Sequence, residues 1–340
     1  MQKKKKMKEN RKKAILNVIF LILVFSLTVY FVFRGEDIHE ILQVIHSAKS
    51  SYLWLGIVCV VLFIIGESVI IFYMMRTLGE KVFFSCITPS ATGGQPMQIY
   101  YMKKDKLDIP VTTLVLMIVT ITYKAVLVFV GGLIWIFGRG FLEGYLGEYM
   151  WVFYLGLALN VFCVSFMLVL VFAPGLAKWL MVRGLKLLER FHILKKKQKR
   201  LESLERSMDQ YHETAAFWAS HKRIIGNVFL ITLVQRTILF TVTYWVYCAL
   251  GFHGESIVTI TILQAVISVS VDMLPLPGGM GISETLYLIM FAPVFGKILL
   301  PSMLLSRGIS YYGQLLISAV MTCVAQIVIG REQKRKEEIV

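Results

Sequence analysis

The sequence predicts an all-α membrane protein, a polytopic bundle of about eight apolar segments. Of its 340 residues, 57% are hydrophobic and only 17% are charged. The mean hydropathy is +0.69. These values lie far outside the range of ordinary soluble domains. Most of the apolar segments are also long enough to cross the roughly 30 Å hydrocarbon core of a bilayer as helices.

The apolar segments follow one another along the whole chain. The first, Ala14–Phe33, is long enough to span, and no small-x-small cleavage site follows it, so a transmembrane helix is favoured over a signal peptide. The further segments are Tyr52–Leu78, Pro110–Phe137, Trp151–Ala173, Ile224–Leu250, Ser256–Leu274, the shorter Ile282–Phe295, and Pro301–Ile329. They form one membrane domain, 14–330, between polar tails at 1–13 and 331–340.

The basic residues orient these segments. The net charge is +15, and an excess of Lys and Arg marks cytoplasmic loops. This rule places both tails, Lys103–Lys106 and the loop 174–223 in the cytoplasm, with the acidic-leaning loops outside. The sequence therefore predicts a multi-pass protein of the cell membrane with both termini cytoplasmic. Nucleic-acid binding is not expected, because the basic residues are confined to segments between apolar runs.

The loop 174–223 predicts an amphipathic helix, which either lies on the membrane surface or docks on the rest of the protein. Its apolar residues recur at three- and four-residue steps: Leu201, Leu204, Met208, Tyr211, Ala215 and Trp218. The loop is too short for a catalytic domain. The sequence also lacks nucleotide, metal and hydrolase motifs. We therefore expect neither an enzyme nor a cofactor.

Five ionisable residues lie within apolar segments: Glu67, Lys124, Arg236, Asp272 and Arg307. Such residues are costly in hydrocarbon and are candidates for a functional site. Ion pairs that only hold helices together are the alternative, and Lys124 and Arg307 could instead reach an interface. Arg236 lies near the middle of its segment, and its planar donor fork suits a phosphate.

Two proline-glycine breaks interrupt the apolar pattern at corresponding places in the two halves, SATGGQP at 90–96 and LPLPGGMGISE at 274–284. Each follows an out-to-in segment and opens a short helix. Paired breaks of this kind are typical of transporter sites built from half-helices, whose amide ends attract anions. The pattern predicts two re-entrant elements and an internal repeat, with ordinary interfacial turns as the alternative.

The two motifs, TPSATGGQPMQIYYMKKDKL at 88–107 and LPLPGGMGISE, resemble the flippase-like transmembrane region of the lysylphosphatidylglycerol synthases, or multiple peptide resistance factors. The resemblance covers nearly the whole chain. It implies a polytopic bundle with re-entrant elements that moves a charged phospholipid between leaflets. The matching positions are Pro89, Ser90, Gly93, Gly94, Gln95, Pro277, Gly278, Gly279, Gly281 and Glu284.

Two departures from the family pattern narrow what the resemblance implies. Gln95 stands where many members carry an acidic residue, so a cationic lipid is not implied and a phosphate is the favoured ligand. The soluble aminoacyl-transfer domain of the synthases does not follow the membrane part, so transfer of lysine from tRNA is not expected.

Taken together, the sequence predicts a lipid transporter that binds a phosphate-bearing headgroup in a polar cavity. The substrate-binding candidates are Ser90, Thr92, Gly93, Gly94, Gln95, Lys103, Lys104, Lys124, Arg236, Gly278, Gly279, Glu284 and Arg307. The candidates for proton or ion coupling are Glu67, Asp272 and Glu284. The alternatives are an embedded enzyme acting on lipid or polyprenyl phosphates, a membrane partner of a separately encoded lipid-modifying enzyme, and a small-solute carrier. A homo-oligomer is compatible with each.

Overall fold

The computed structural model describes residues 38–79, 98–99, 102–103, 107–173, 175–176, 179, 183, 212–274, 279, 281–321 and 324. The predicted first segment, the first proline-glycine break and both tails lie outside these residues. Every regular element within the described ranges is helical, which confirms the predicted all-α class.

The α-helices are α1 (Ile38–Ser47), α2 (Ser50–Thr77), α3 (Ile109–Phe137), α4 (Arg139–Leu146), α5 (Met150–Phe172), α6 (Lys222–Phe240), α7 (Val242–Ala249), α8 (Ile257–Val271), α9 (Ile282–Phe295) and α10 (Leu299–Arg307). Short 3-10 turns join α4 to α5 and α9 to α10, and a π-helix, Gly308–Gly313, follows α10. Most of these bounds agree with the predicted segments to within a few residues.

Among the described residues, five helical stretches are long and apolar enough to cross a membrane: Ser50–Thr77, Ile109–Phe137, Arg139–Phe172, Lys222–Ala249 and Ile282–Met321. The helix Ile257–Val271 is apolar but shorter. Several spans of this kind confirm a multi-pass membrane protein.

Helix α3 occupies the centre of the bundle. It packs against α5, α6 and α8, and half of its most apolar window is buried, compared with 17% for the stretch Arg139–Phe172. Pro110 fits the first turn of α3, where the missing amide is not needed. A helix that is apolar on nearly all sides suits this position, because one side of α3 packs against protein and the other is exposed, where lipid would contact it.

The chain reverses direction between α9 and α10. Glu284 and Arg307 are 23 residues apart in sequence, yet their side chains lie 2.8 Å apart. One straight helix of that length would separate them by about 34 Å. The turn lies at Gly296, which has a φ of 53° that glycine adopts easily. The stretch 282–321 is therefore a helical hairpin, as expected from separate segments at Ile282–Phe295 and Pro301–Ile329.

Helix α8 is shorter than the predicted segment Ser256–Leu274. Ser256 caps its start by accepting a hydrogen bond of 3.0 Å from the amide of Thr259. Its 15 residues span about 22 Å. Asp272, directly after α8, contacts Tyr123 and Lys124, which lie near the midpoint of α3. Helix α8 therefore ends level with the middle of the longest helix of the bundle.

The end of the cytoplasmic loop docks on the bundle. Residues 212–220 are helical, and Ala215 and Trp218 lie in one apolar cluster with Met74 and Leu114. Trp218 has no exposed surface. Docking, one of the two alternatives for this loop, therefore holds for this part of it. Leu201, Leu204, Met208 and Tyr211 lie outside the described residues.

Candidate functional site

A cavity of about 260 Å³ lies between α2, α3 and α6. Three of the ionisable residues singled out in the sequence line it: Glu67, Lys124 and Arg236. Each lies in the central part of its span, since Lys124 is 15 residues from the start of α3 and 13 from its end. The described residues that complete the lining are Ile70, Ile71, Gln98, Leu116, Val119, Thr120, Tyr123, Thr232 and Gln235.

The guanidinium of Arg236 is held against two aromatic rings. Its central carbon lies 3.7 Å from the ring centroid of Tyr123 and 4.8 Å from that of Phe63. Ring faces attract cations, and Arg stacks on them better than Lys because its guanidinium is planar. This stacking orients the charge while leaving its in-plane N–H groups to other partners.

One of those N–H groups is unsatisfied. Arg236 Nε is buried and forms no hydrogen bond with any described residue. A buried donor without an acceptor is costly, and such groups are uncommon in native proteins. Arg236 therefore lines the cavity with a positive charge of fixed orientation, and its buried Nε has no described acceptor.

Next to Arg236, an ion pair joins α3 to the end of α8. Lys124 Nζ lies 2.6 Å from Asp272 Oδ2 and 2.9 Å from the sulfur of Met273. The Tyr123 hydroxyl donates to the other oxygen of Asp272. Lys124 and Asp272 each expose 12% of the side chain. Lys124 is therefore neutralised in the middle of α3, and it does not reach an interface, which was one of the outcomes that the sequence allowed.

A second polar cluster forms where α9 begins. Arg307 donates to Glu284 Oε1 from Nε at 2.9 Å and from Nη2 at 2.8 Å, and to the Ser283 hydroxyl at 2.6 Å. The other oxygen of Glu284 accepts the amide of Gly281 at 2.6 Å. Glu284 thus caps α9 and holds Arg307 at once, so both residues are engaged within the protein.

Helix α5 holds the end of α8 in place at close range. A Cβ at Gly156 would lie 2.5 Å from the Cα of Ser270, so only glycine allows this approach. Asn160 of α5 donates to the Val269 carbonyl at 3.2 Å. Because Asp272 follows directly, this contact fixes the carboxylate that pairs with Lys124.

The family model of the lysylphosphatidylglycerol synthase TM region matches residues 18–318. The chain belongs to this family. No curated protein and no solved structure matches it. The match spans both polar clusters and confirms the family to which the two proline-glycine motifs pointed.

Within this family member, the structure divides the predicted residues into groups. The cavity brings together Glu67, Lys124 and Arg236, with Asp272 bonded to Lys124, and the second cluster brings together Glu284 and Arg307. Lys103 is exposed near the start of α3. Gly279 lies in the turn between α8 and α9, with a φ of 65°. The candidates outside the described residues are Pro89, Ser90, Thr92, Gly93, Gly94, Gln95, Lys104, Pro277 and Gly278.

Sequence reasoning missed several residues of these clusters. Phe63 and Tyr123, which hold Arg236, were not among the predicted site residues. A signal was present at Tyr123, because a hydroxyl-bearing ring lies directly before Lys124. Gln235 donates to the Phe63 carbonyl at 2.8 Å, and it therefore ties α6 to α2 next to Arg236. Ser283 was not among the predicted site residues either, yet its hydroxyl accepts a hydrogen bond from Arg307.

Proposed function

We propose that the protein moves a phosphate-bearing membrane lipid between leaflets, with the headgroup held in the cavity between α2, α3 and α6. The observation that carries this proposal is Arg236, a cation fixed between Phe63 and Tyr123 with a buried Nε that has no described partner. A phosphate oxygen is a hydrogen-bond acceptor of opposite charge, and guanidinium–phosphate hydrogen bonds are among the strongest in proteins.

The depth of the cavity supports transport rather than surface binding. Arg236 lies 14 residues from the start of the stretch Lys222–Ala249 and 13 from its end, close to the midpoint. Moving a headgroup through hydrocarbon requires polar groups at this depth, because an unpaired ion there is costly. At least one acyl chain of the lipid can stay in the bilayer while the headgroup is in the cavity.

We further propose that α8 and α9 form a re-entrant hairpin. The end of α8 lies level with the middle of α3, and a helix of 15 residues falls short of the roughly 30 Å hydrocarbon core. Irregular backbone at such depth is tolerated where protein or a wet cavity satisfies its amides. The hydrogen bond from Gly281 to Glu284 is a contact of this kind.

Among the three carboxylates proposed for coupling, Glu67 lines the cavity. A proton or cation that enters the cavity with the lipid would meet this carboxylate there. Its uptake would remove a negative charge from the cavity and favour the phosphate.

The test is transport by the purified protein in liposomes. Fluorescent lipids whose outer-leaflet label is quenched by dithionite would report flip-flop for phosphatidylglycerol, phosphatidylethanolamine, a polyprenyl phosphate and diacylglycerol, which has no phosphate. We expect the protein to accelerate at least one phosphate-bearing lipid and not diacylglycerol. If the protein accelerated none of the three phosphate-bearing lipids, the proposal would be contradicted. Transport of a soluble phosphorylated solute would then favour a small-solute carrier.

For the cavity variant Arg236→Gln, the matched control is Arg139→Gln. Arg139 lies outside the cavity, where it forms an ion pair with Glu143, and its side chain is 66% exposed at the surface. Its loss should leave transport unchanged, because an exposed pair contributes little to stability. If transport fell equally in this variant, the effect would be one of general charge and not of the cavity.

A further inference from the structure

A second, apolar chamber of about 480 Å³ lies beside the charged cavity, between α3, α6 and α8. Its walls include Val130, Ile134, Phe137, Phe240 and Ile262. No charged side chain is among the described residues that line it. Its size falls within the range of small-molecule sites, and its chemistry suits hydrocarbon.

The chamber lies further along the same face of α3 as the charged cavity. Val130 is six residues beyond Lys124, or about 9 Å along α3, and both hollows open on one stripe of that helix. Leu127, whose side chain is fully buried, lies between the two sets of lining residues along α3. On α6, Arg236 lines the cavity and the next residue, Thr237, lines the chamber.

The chamber lies on a definite side of the cavity. It extends along α3 toward Phe137, away from the end that begins at Ile109. The part of α8 that lines it, Thr261 to Ala265, lies in the first nine residues of that helix. The other end of α8 leads to Asp272, at the level of the charged cavity.

We propose that this chamber holds an acyl chain of the same lipid whose phosphate binds Arg236. The inference rests on the proposed function and adds a direction to it. A lipid bound in this way has its headgroup toward the Ile109 end of α3 and its chain toward Phe137, which is the orientation of lipids in the leaflet on the Ile109 side. With the predicted topology, the lipid is loaded from the cytoplasmic leaflet.

The experiment uses photoactivatable lipids with the full chain in dodecyl maltoside micelles, which contain no phosphate. The first probe is phosphatidylglycerol with a diazirine at the end of one acyl chain, and the second is diacylglycerol with the same labelled chain. Peptide mass spectrometry maps the attachment sites. We expect phosphatidylglycerol to label the chamber at Phe137 and Ile262 roughly tenfold more than diacylglycerol, since one charge-assisted hydrogen bond supplies such a factor.

Three variants separate this inference from the proposed function. Arg236→Gln should abolish the preference for phosphatidylglycerol, and Thr261→Phe, which fills the chamber, should abolish labelling inside it. Val258→Phe adds the same ring to α8 at a position that is 62% exposed, and labelling should be unchanged. If Thr261→Phe fails to fold, the wild type still provides the test. A diazirine beside the ester should label near Leu127, and one at the chain end near Phe137.

The outcomes are distinguishable. Labelling that depends on Arg236 but falls outside the chamber would overturn the acyl-chain site and leave the phosphate site standing. Equal labelling by the two lipids would show that the chamber takes up hydrocarbon without regard to a headgroup, which overturns the inference. Chamber labelling that prefers phosphatidylglycerol yet is unchanged in Arg236→Gln would contradict the phosphate site and the link between the two hollows.

Discussion

Lys124 and Asp272 are 148 residues apart in the chain and form an ion pair of 2.6 Å. The pair connects the middle of α3 to the end of α8, and it lies beside the charged cavity. Each side chain is only 12% exposed, so both charges are largely removed from solvent. If one partner of such a buried ion pair is removed, the other is left as an uncompensated charge.

Removing one partner of this pair should therefore destabilise the protein more than removing both. We expect Lys124→Met or Asp272→Leu alone to lower the free energy of unfolding by about 3–5 kcal/mol, and the double variant to recover most of that loss. Thermal unfolding in detergent, arranged as a double-mutant cycle, measures the difference. Additive losses in the double variant would show that the pair makes no stabilising contact.

Glu284 should show two separable contributions, one as a helix cap and one as a charge. Glu284→Gln keeps an acceptor for the Gly281 amide but removes the charge that holds Arg307, whereas Glu284→Ala removes both. We expect both variants to be destabilised, with Ala losing about 1 kcal/mol more than Gln, the usual effect of a cap. Equal unfolding temperatures for the two variants would argue against the capping role.

Gly156→Ala tests the close approach of α5 to α8. The added Cβ would lie 2.5 Å from the Cα of Ser270 and 2.6 Å from the Val269 carbonyl oxygen, and backbone atoms cannot move aside easily. We expect a loss of about 1–3 kcal/mol, typical of overpacking. The unfolding temperature in detergent reports it.

The matched control for this variant is Gly132→Ala, in the middle of α3. A Cβ at Gly132 would meet nothing within 4 Å. Since alanine favours helix over glycine, this change should be neutral or stabilising by up to about 1 kcal/mol. A loss at Gly132 as large as at Gly156 would mean that the α5–α8 contact is not responsible.

The orientation of the protein can be tested by labelling. In a variant without native cysteines, a cysteine at Glu143, between α3 and α5, should react with an impermeant maleimide from outside intact cells. A cysteine at Lys222, where α6 begins, should react only after permeabilisation. Both positions are exposed. The reverse pattern would overturn the predicted cytoplasmic termini and, with them, the leaflet from which the lipid is loaded.

Much of the fold could be predicted because the signals are local. Helices α2, α3, α5 and the α6–α7 stretch coincide with apolar runs, and a run of sufficient length specifies a spanning helix whatever surrounds it. The short α9 was also predicted, since Gly296 and the residues around it interrupt the pattern. The length of α8 was overestimated, because Met273 and Leu274 are apolar although they follow Asp272 and lie outside the helix.

The site could be predicted only in part, since it depends on contacts between distant segments. The ionisable residues were identified by their cost in hydrocarbon. The ion pairs Lys124–Asp272 and Arg307–Glu284 could not be predicted from the sequence, because each of the three cations could have paired with any of the carboxylates. The rings that hold Arg236 come from α2 and α3, and an apolar run contains no sign of which aromatic residue will face a charge.

The role of Arg236 in transport is best measured as the rate of lipid flip-flop for three residues at position 236. We expect Arg236→Gln to lower the rate for the phosphate-bearing substrate roughly tenfold or more, the effect of losing a charge-assisted hydrogen bond. Arg236→Lys should fall between the wild type and Gln, because it keeps the charge but lacks the planar fork. A folded Arg236→Gln protein that transports the lipid at the wild-type rate would show that Arg236 does not bind the headgroup.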